Sequence, residues 1–203
     1  MSEQISNEKV KAILQAARKR FAHYGFSKVT MDEIAGDVEL GKASLYYYFP
    51  TKEELFRAVV FQEQTELLVK VDDLLTKSVP ASEKLIEYIE KRLAFSRELA
   101  NIGTLGVHSA FDAKSIFKKL FEDFEEKEII LLGKIMEEGR KSGEFRVDIP
   151  EGFTRVFLHV LQGLKLRFIR HLKEQRLEED VQKDLESEMK LVTDVLINGL
   201  KNK

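Results

Sequence analysis

The sequence predicts an all-α fold, with a small three-helix unit at the N-terminus followed by a larger helical part, and three observations carry that expectation. Apolar residues recur about every three to four positions along most of the chain, the spacing that lines one face of a helix. Hydrophobic residues make up 43% of the 203 positions while prolines number only three, so there is material for a core and little to interrupt helices. The third is punctuation: Thr-x-x-Glu pairs and glycines fall at the edges of the apolar stripes, where helices start and stop.

The first stripe is Val10, Ile13, Leu14, Ala17 and Phe21, and it stops at Gly25, suited to the left-handed residue that ends a helix. Phe26 follows at the position where a Schellman ending brings it onto Phe21. Thr30 and Glu33 then form a capping box that opens a short second helix at Met31, burying Ile34, Ala35 and Val38. Glu39-Leu40-Gly41 makes the turn, and Lys42 to Phe49 is a third short helix that Pro50 closes. A second capping box, Thr51 with Glu54, starts a long fourth helix through Leu55, Phe56, Val59, Val60, Leu67, Leu68 and Val71, with the domain boundary inside it.

Lys77 to Ser82 reads as a loop, with Ser82 as the cap of a fifth helix whose stripe is Leu85, Ile86, Ile89, Leu93 and Phe95. Gly103 and Gly106 mark a less regular region, Ser115 opens a long helix through Met136, and the run Gly139 to Gly143 ends it. The last two helices, 153–172 and 181–200, are the most apolar of this half and flank a charged linker, Lys173 to Asp180. They either close the core of one chain or pair with a symmetry copy as a four-helix bundle, and periodicity alone leaves both open.

Composition narrows the function classes. The chain lacks cysteine, which removes disulfides, thiolate nucleophiles and cysteine zinc sites and fits a cytoplasmic location. The N-terminus has no apolar leader segment, and no stretch reaches the roughly eighteen apolar residues of a membrane span, so no membrane partner is expected. Net charge is −2, and residues 1–57 hold nine Lys or Arg against eight Asp or Glu, so any nucleic-acid binding must rest on a few placed groups. Glu125-Glu126 and Glu137-Glu138 read as solvated faces, His108, His159 and His171 lack metal-ligand spacing, and no glycine-rich phosphate loop occurs, so no enzyme, metal or cofactor is expected.

The chemistry concentrates between Gly41 and Leu55. Three consecutive tyrosines, Tyr46, Tyr47 and Tyr48, cannot all be buried on one short helix, because successive residues are turned by about 100°. Leu45 and Phe49, four apart, can hold that helix to its neighbours, leaving Lys42, Ser44 and tyrosine hydroxyls for phosphates and base edges of a major groove. Its N-terminus, led by Lys42, also presents backbone N–H groups. A terminated first helix, a capped second, a short turn, a short third helix and a capped fourth are the parts of a helix-turn-helix in order, its motif over about 31–50. A helical protein-binding adaptor is the alternative, though it has no need of a Lys42 and tyrosine surface framed by caps.

Over residues 9 to about 60 the sequence resembles the TetR family of repressors, through Thr30-Met31-Asp32-Glu33-Ile34-Ala35 and Lys42 to Leu55. The resemblance implies a DNA-binding domain over 1–57 and a helical ligand-binding and dimerisation domain over 58–203. It implies that Thr30 touches phosphate, that Lys42, Ala43 and Ser44 lie at the groove, that Tyr46 contacts base or sugar, and that Tyr47, Tyr48 and Lys52 meet phosphate. Gly41 departs from the family's usual Ser or Thr cap, and Tyr48 from its common histidine. The family's pattern further implies a homodimer through the last two helices, a palindromic operator in double-stranded DNA, and a small-molecule effector that shifts the fourth helix and releases repression. The aromatic-rich interior suggests a largely apolar effector, with Phe95, Phe111, Phe121, Phe124 and Phe157 as candidate walls and His108, His159 and Gln162 as candidate polar contacts.

Overall fold

The computed structural model describes the chain over residues 2–98, 116–174 and 179–202, and its side chains over 7–94, 119, 121–164 and 187–202. The described residues form eight helices: α1 (Ser2–Tyr24), α2 (Met31–Asp37), α3 (Lys42–Tyr48), α4 (Lys52–Leu75), α5 (Ala81–Glu98), α6 (Ile116–Lys141), α7 (Phe153–Glu174) and α8 (Glu179–Leu200). The all-α expectation is met. Two compact units divide the chain, with a break inside α4: Met1–Glu66 with Glu98–Phe121, and Leu67–Arg97 with Glu122–Lys203.

In the first unit, α1 begins well before its apolar stripe, because the preceding Glu, Gln and Lys residues are good helix formers. Its end is a simpler αL motif than the Schellman turn expected: Gly25 takes φ +87° and its N–H donates to Phe21 O at 3.1 Å. The ring contact survives that difference, with Phe21 and Phe26 centroids 5.8 Å apart and both near Phe56, at 5.1 and 5.0 Å. Ile13, Ala17, Phe21, Ile34, Leu45 and Leu55 are fully buried, so α1 to α4 share one core.

The capping box at α2 forms as predicted: Thr30 Oγ1 accepts from the Glu33 N–H, and the Thr30 N–H donates to Glu33 Oε2 at 2.8 Å. The turn after α2 differs. Its left-handed residue is Glu39, at φ +53°, while Gly41 is an ordinary extended N-cap. Leu40 N–H donates to Ala35 O at 2.9 Å and Glu39 N–H to Gly36 O at 3.2 Å, a Schellman closure that fixes where the chain turns. At α4, Thr51 Oγ1 accepts from the Glu54 N–H at 3.1 Å.

In the second unit, α5 is capped from far away and not by Ser82. The Glu144 carboxylate accepts from the N–H groups of Ala81, at 2.7 Å, and Ser82, at 3.1 Å, a charge-assisted cap that complements the helix dipole. Helix α6 ends at Lys141, inside the Gly139 to Gly143 run expected to end it, and Gly139 lies in its last turn. The glycine is there for space: a Cβ would lie 2.2 Å from Phe145 Cδ2, so the buried Phe145 ring packs directly on the α6 backbone. The α6–α7 connection in turn holds the last residues, since Arg146 N–H donates to Leu200 O at 2.8 Å and Asn202 N–H to Glu144 O at 3.0 Å.

Helices α7 and α8 pack against each other, burying Phe157, Leu158 and Leu161 with Met189, Ile197 and Leu200. Between α5 and α6 lies a buried polar seam. Tyr88 donates to Glu128 Oε1 at 2.7 Å, Arg92 Nη2 donates to Glu128 Oε2 at 3.1 Å, and Arg92 Nε donates to the tyrosine oxygen at 3.2 Å. Lys84, only 1% exposed, bonds both oxygens of Glu138 at 2.7 and 2.8 Å, so the half-exposed Glu138 anchors a buried ammonium as well as facing solvent. Burial pushes the Tyr88 hydroxyl well above its ordinary pKa. Burial alone would lower Arg92, yet Tyr88 and Glu128 hold it above its ordinary value, so the seam keeps a charged guanidinium.

Candidate nucleic-acid interface

Helix α3 is seven residues long and buries only Leu45. Around it Lys42, Ala43, Ser44, Tyr46 and Tyr47 are exposed, Tyr47 by 82% and Tyr46 by 39%. Tyr48 and Phe49 are half-buried, and the Tyr48 ring meets Tyr47 edge-on at 5.4 Å. One buried leucine thus anchors a helix whose remaining surface is aromatic, hydroxylic and cationic, and Gly41 supplies no side-chain cap.

The eight candidate contacts fall into two groups. Lys42, Ala43, Ser44, Tyr46, Tyr47 and Tyr48 share α3, whereas Thr30 caps α2 and Lys52 opens α4; Thr30, Lys42 and Lys52 already hold side-chain bonds within the protein. The Thr30 hydroxyl donates to Glu33 Oε2 at 2.8 Å. Lys42 Nζ donates to Asp32 Oδ2 at 2.9 Å, which holds the ammonium pKa above its ordinary value. Lys52 Nζ donates to the carbonyls of Phe26, at 3.0 Å, and Val29, at 3.1 Å, and stands 4.5 Å over the Phe26 ring. Lys52 therefore ties the α1–α2 loop to the first turn of α4, spending two of its three donors inside the protein.

Sequence reasoning missed the counter-ions. Arg20 of α1 donates to both Asp37 oxygens, at 2.5 and 2.8 Å, and lies 3.3 Å from Glu33. The Arg20 hydrogen bond holds Asp37 below the usual carboxylate range, and the Thr30 backbone N–H and hydroxyl do the same for Glu33. No local spacing announces these ion pairs, because the partners are between ten and seventeen residues apart. Arg18, on the same helix as Arg20, reaches Glu63 at 2.9 Å and Glu66 at 3.2 Å on α4.

The candidate effector residues are scattered. Phe157 is buried, Phe124 half-buried and Phe121 exposed; His108, Phe111 and the Phe95 side chain lie outside the described residues. His159 is exposed, with Nε2 3.1 Å from Glu125 Oε1, and Gln162 donates to Glu125 Oε2 at 3.4 Å, so one α6 carboxylate engages both. Despite partial burial, His159 and Gln162 hold that carboxylate below its usual range. A cleft of about 290 Å³ opens between the end of α6 and the start of α7, lined by Met136, Arg140, Ile149 and Phe153 among others, and none of the five described candidates lines it.

Comparison with known proteins fits this geometry. Residues 13–59, from α1 into α4, match the model of the bacterial regulatory proteins, tetR family. The HTH-type transcriptional regulator YhgD of Bacillus subtilis strain 168 is 28% identical over 170 residues, 79% of this chain and 84% of its own length. The crystal structure of a transcriptional regulator from Cytophaga hutchinsonii superposes with a TM-score of 0.85 at 34% identity, covering 96% of this chain and 99% of that one. FadR of Bacillus subtilis, solved with stearoyl-CoA, shares the fold at a TM-score of 0.71 and 18% identity over 94% of this chain and 98% of its own. A motif match that spans the exposed α3 and a relative at 34% identity over nearly the whole of both chains make one conclusion: the chain belongs to the tetR family of bacterial regulatory proteins.

Proposed function

We propose that the chain is a homodimeric, DNA-binding transcriptional repressor in the cytoplasm that leaves its operator when a small, largely apolar effector binds. The observation that carries DNA reading is α3: Tyr46, Tyr47, Ser44 and Lys42 stand exposed on a helix held by one buried leucine. A helix so anchored can enter a major groove, with hydroxyls and an ammonium at base edges and phosphates. Residues 1–57 would do the reading, with Thr30, Ala43, Tyr48 and Lys52 completing the contact set, and 58–203 would hold effector and dimer surfaces.

Dimerisation is supported by the outer faces of the last two helices. Val156 and Val160 on α7, and Leu191 and Val195 on α8, repeat at i, i+4 and stay exposed, the two α8 residues by 65% and 63%. Paired apolar stripes of this kind are expected to be covered by a second copy, and a two-fold dimer calls for a palindromic operator. The effector class is supported by the FadR complex with stearoyl-CoA and by the phenylalanines of α6 and α7.

Gel-shift assays on DNA upstream of the protein's own gene test this reading. Tyr46→Ala and Lys42→Ala should each weaken binding by at least about tenfold, the scale of one lost base or phosphate contact at low salt, and unchanged shifts would remove the DNA-reading claim. Leu191→Glu with Val195→Glu should move sedimentation to the monomer mass; a dimer that persists would place the interface elsewhere.

A further inference from the structure

The helix-turn-helix is acidic. From Met31 to Tyr48 the chain carries a single cation, Lys42, against four carboxylates, Asp32, Glu33, Asp37 and Glu39. All four acids are exposed and all belong to α2 or its turn, the helix that crosses the sugar-phosphate backbone when the next one enters the groove. Three are committed differently. Glu33 closes the capping box, Asp37 clamps Arg20 with two bonds, and Asp32 makes one bond, to the lone cation of the reading helix. That pair is the most open: the side chains of Lys42 and Asp32 are 63% and 59% exposed, so water and salt screen it and the partners exchange readily.

From this we infer that Asp32 is a specificity determinant that holds down affinity for arbitrary DNA; the inference rests on the DNA-reading function proposed above. In free protein Asp32 occupies Lys42. On any duplex Lys42 can move to a phosphate, but the exchange leaves a carboxylate facing the polyanion, so the backbone attraction that drives sequence-independent binding is largely cancelled. Stable complexes then form only where Ser44, Tyr46 and Tyr47 find matching base edges. Removing the carboxylate frees Lys42 and lifts the repulsion together, which strengthens binding to every sequence.

The test uses the full chain and a random-sequence duplex of about 30 base pairs, read by fluorescence anisotropy between about 50 and 200 mM salt. Asp32→Asn should tighten binding about five- to tenfold at the lowest salt and steepen the plot of log K against log salt by about 0.9, one more phosphate neutralised. Adding Lys42→Ala should return the slope to that of the parent. A purely structural role for Asp32, as an acid in the first turn of α2, predicts the opposite sign, a lower melting temperature with weaker binding. Asp32→Ser, with helix content and melting followed by circular dichroism, guards against a local defect of the asparagine. If the parent binds the duplex and neither variant binds more tightly, Asp32 has no such role while DNA reading stands. If neither parent nor variants bind any duplex at low salt, both fail.

Discussion

The polar pairs around α2 and α3 and those between α5 and α6 are arranged in opposite ways. Around α2 and α3 they lie at the surface: Lys42 with Asp32, Arg20 with Asp37 and Glu33, Thr30 with Glu33. Between α5 and α6 a set is buried, with Tyr88, Arg92 and Glu128 in one seam and, one turn earlier on α5, the buried Lys84 held by a half-exposed Glu138. Exposed pairs contribute about 0–1 kcal/mol each and can trade partners. Buried ones cost about 3–5 kcal/mol when one member is removed, because the other is left charged and unpaired in low dielectric. The reading end is built to exchange its contacts, and the core of the other end is built to keep them.

Glu128→Ala breaks the buried arrangement most severely. It removes the buried acid that both Arg92 and the Tyr88 hydroxyl bond, and urea unfolding should register a loss of about 3–5 kcal/mol; a loss below about 1 kcal/mol, the surface scale, would erase the contrast. Gly139→Ala comes next, because its methyl would fall 2.2 Å from the Phe145 ring. The ring must move or α6 must bend, at about 1–3 kcal/mol, seen as a lower thermal midpoint.

At the surface end, Thr30→Ala removes the cap of α2 and should cost about 1 kcal/mol in the same unfolding assay, with binding to DNA weakened as α2 frays. Acid should have the mildest effect there. Glu33 and Asp37 are held below their ordinary pKa in the folded chain, so their contribution is present above the ordinary carboxylate pKa, near about 4, and fades as pH falls through the lower folded values. Stability measured from pH 6 downward should be flat to about pH 4.5 and decline below it, and replacing both carboxylates by amides should flatten part of that decline.

Much of the first unit was legible because its signals are local. The capping box of α2, the glycine at the end of α1 and the proline after α3 each act within four residues, the range over which sequence spacing reports geometry. What escaped was carried by long-range partners. Glu144 caps α5 from sixty-odd positions away and displaced the nearer Ser82 because a carboxylate suits a helix N-terminus better. Gly139 belongs to the run that ends α6, but the contact that requires a glycine there depends on where Phe145 packs. The seam had one readable sign: Arg92 sits four residues after Tyr88 on the same buried stripe as Leu85 and Ile89, and a cation there demands a buried acid. For the site, spacing found the exposed α3 residues and the Thr30 cap but not that Lys42 and Lys52 are already bonded.

Footprinting on the DNA upstream of the protein's own gene bears most directly on the claim that α3 reads a groove. Two protected half-sites with centres about one helical turn or a multiple of it apart, lost in Tyr47→Ala at unchanged helix content and unchanged dimer mass, are the predicted result. Protection that survives Tyr47→Ala and Tyr46→Ala together would contradict it.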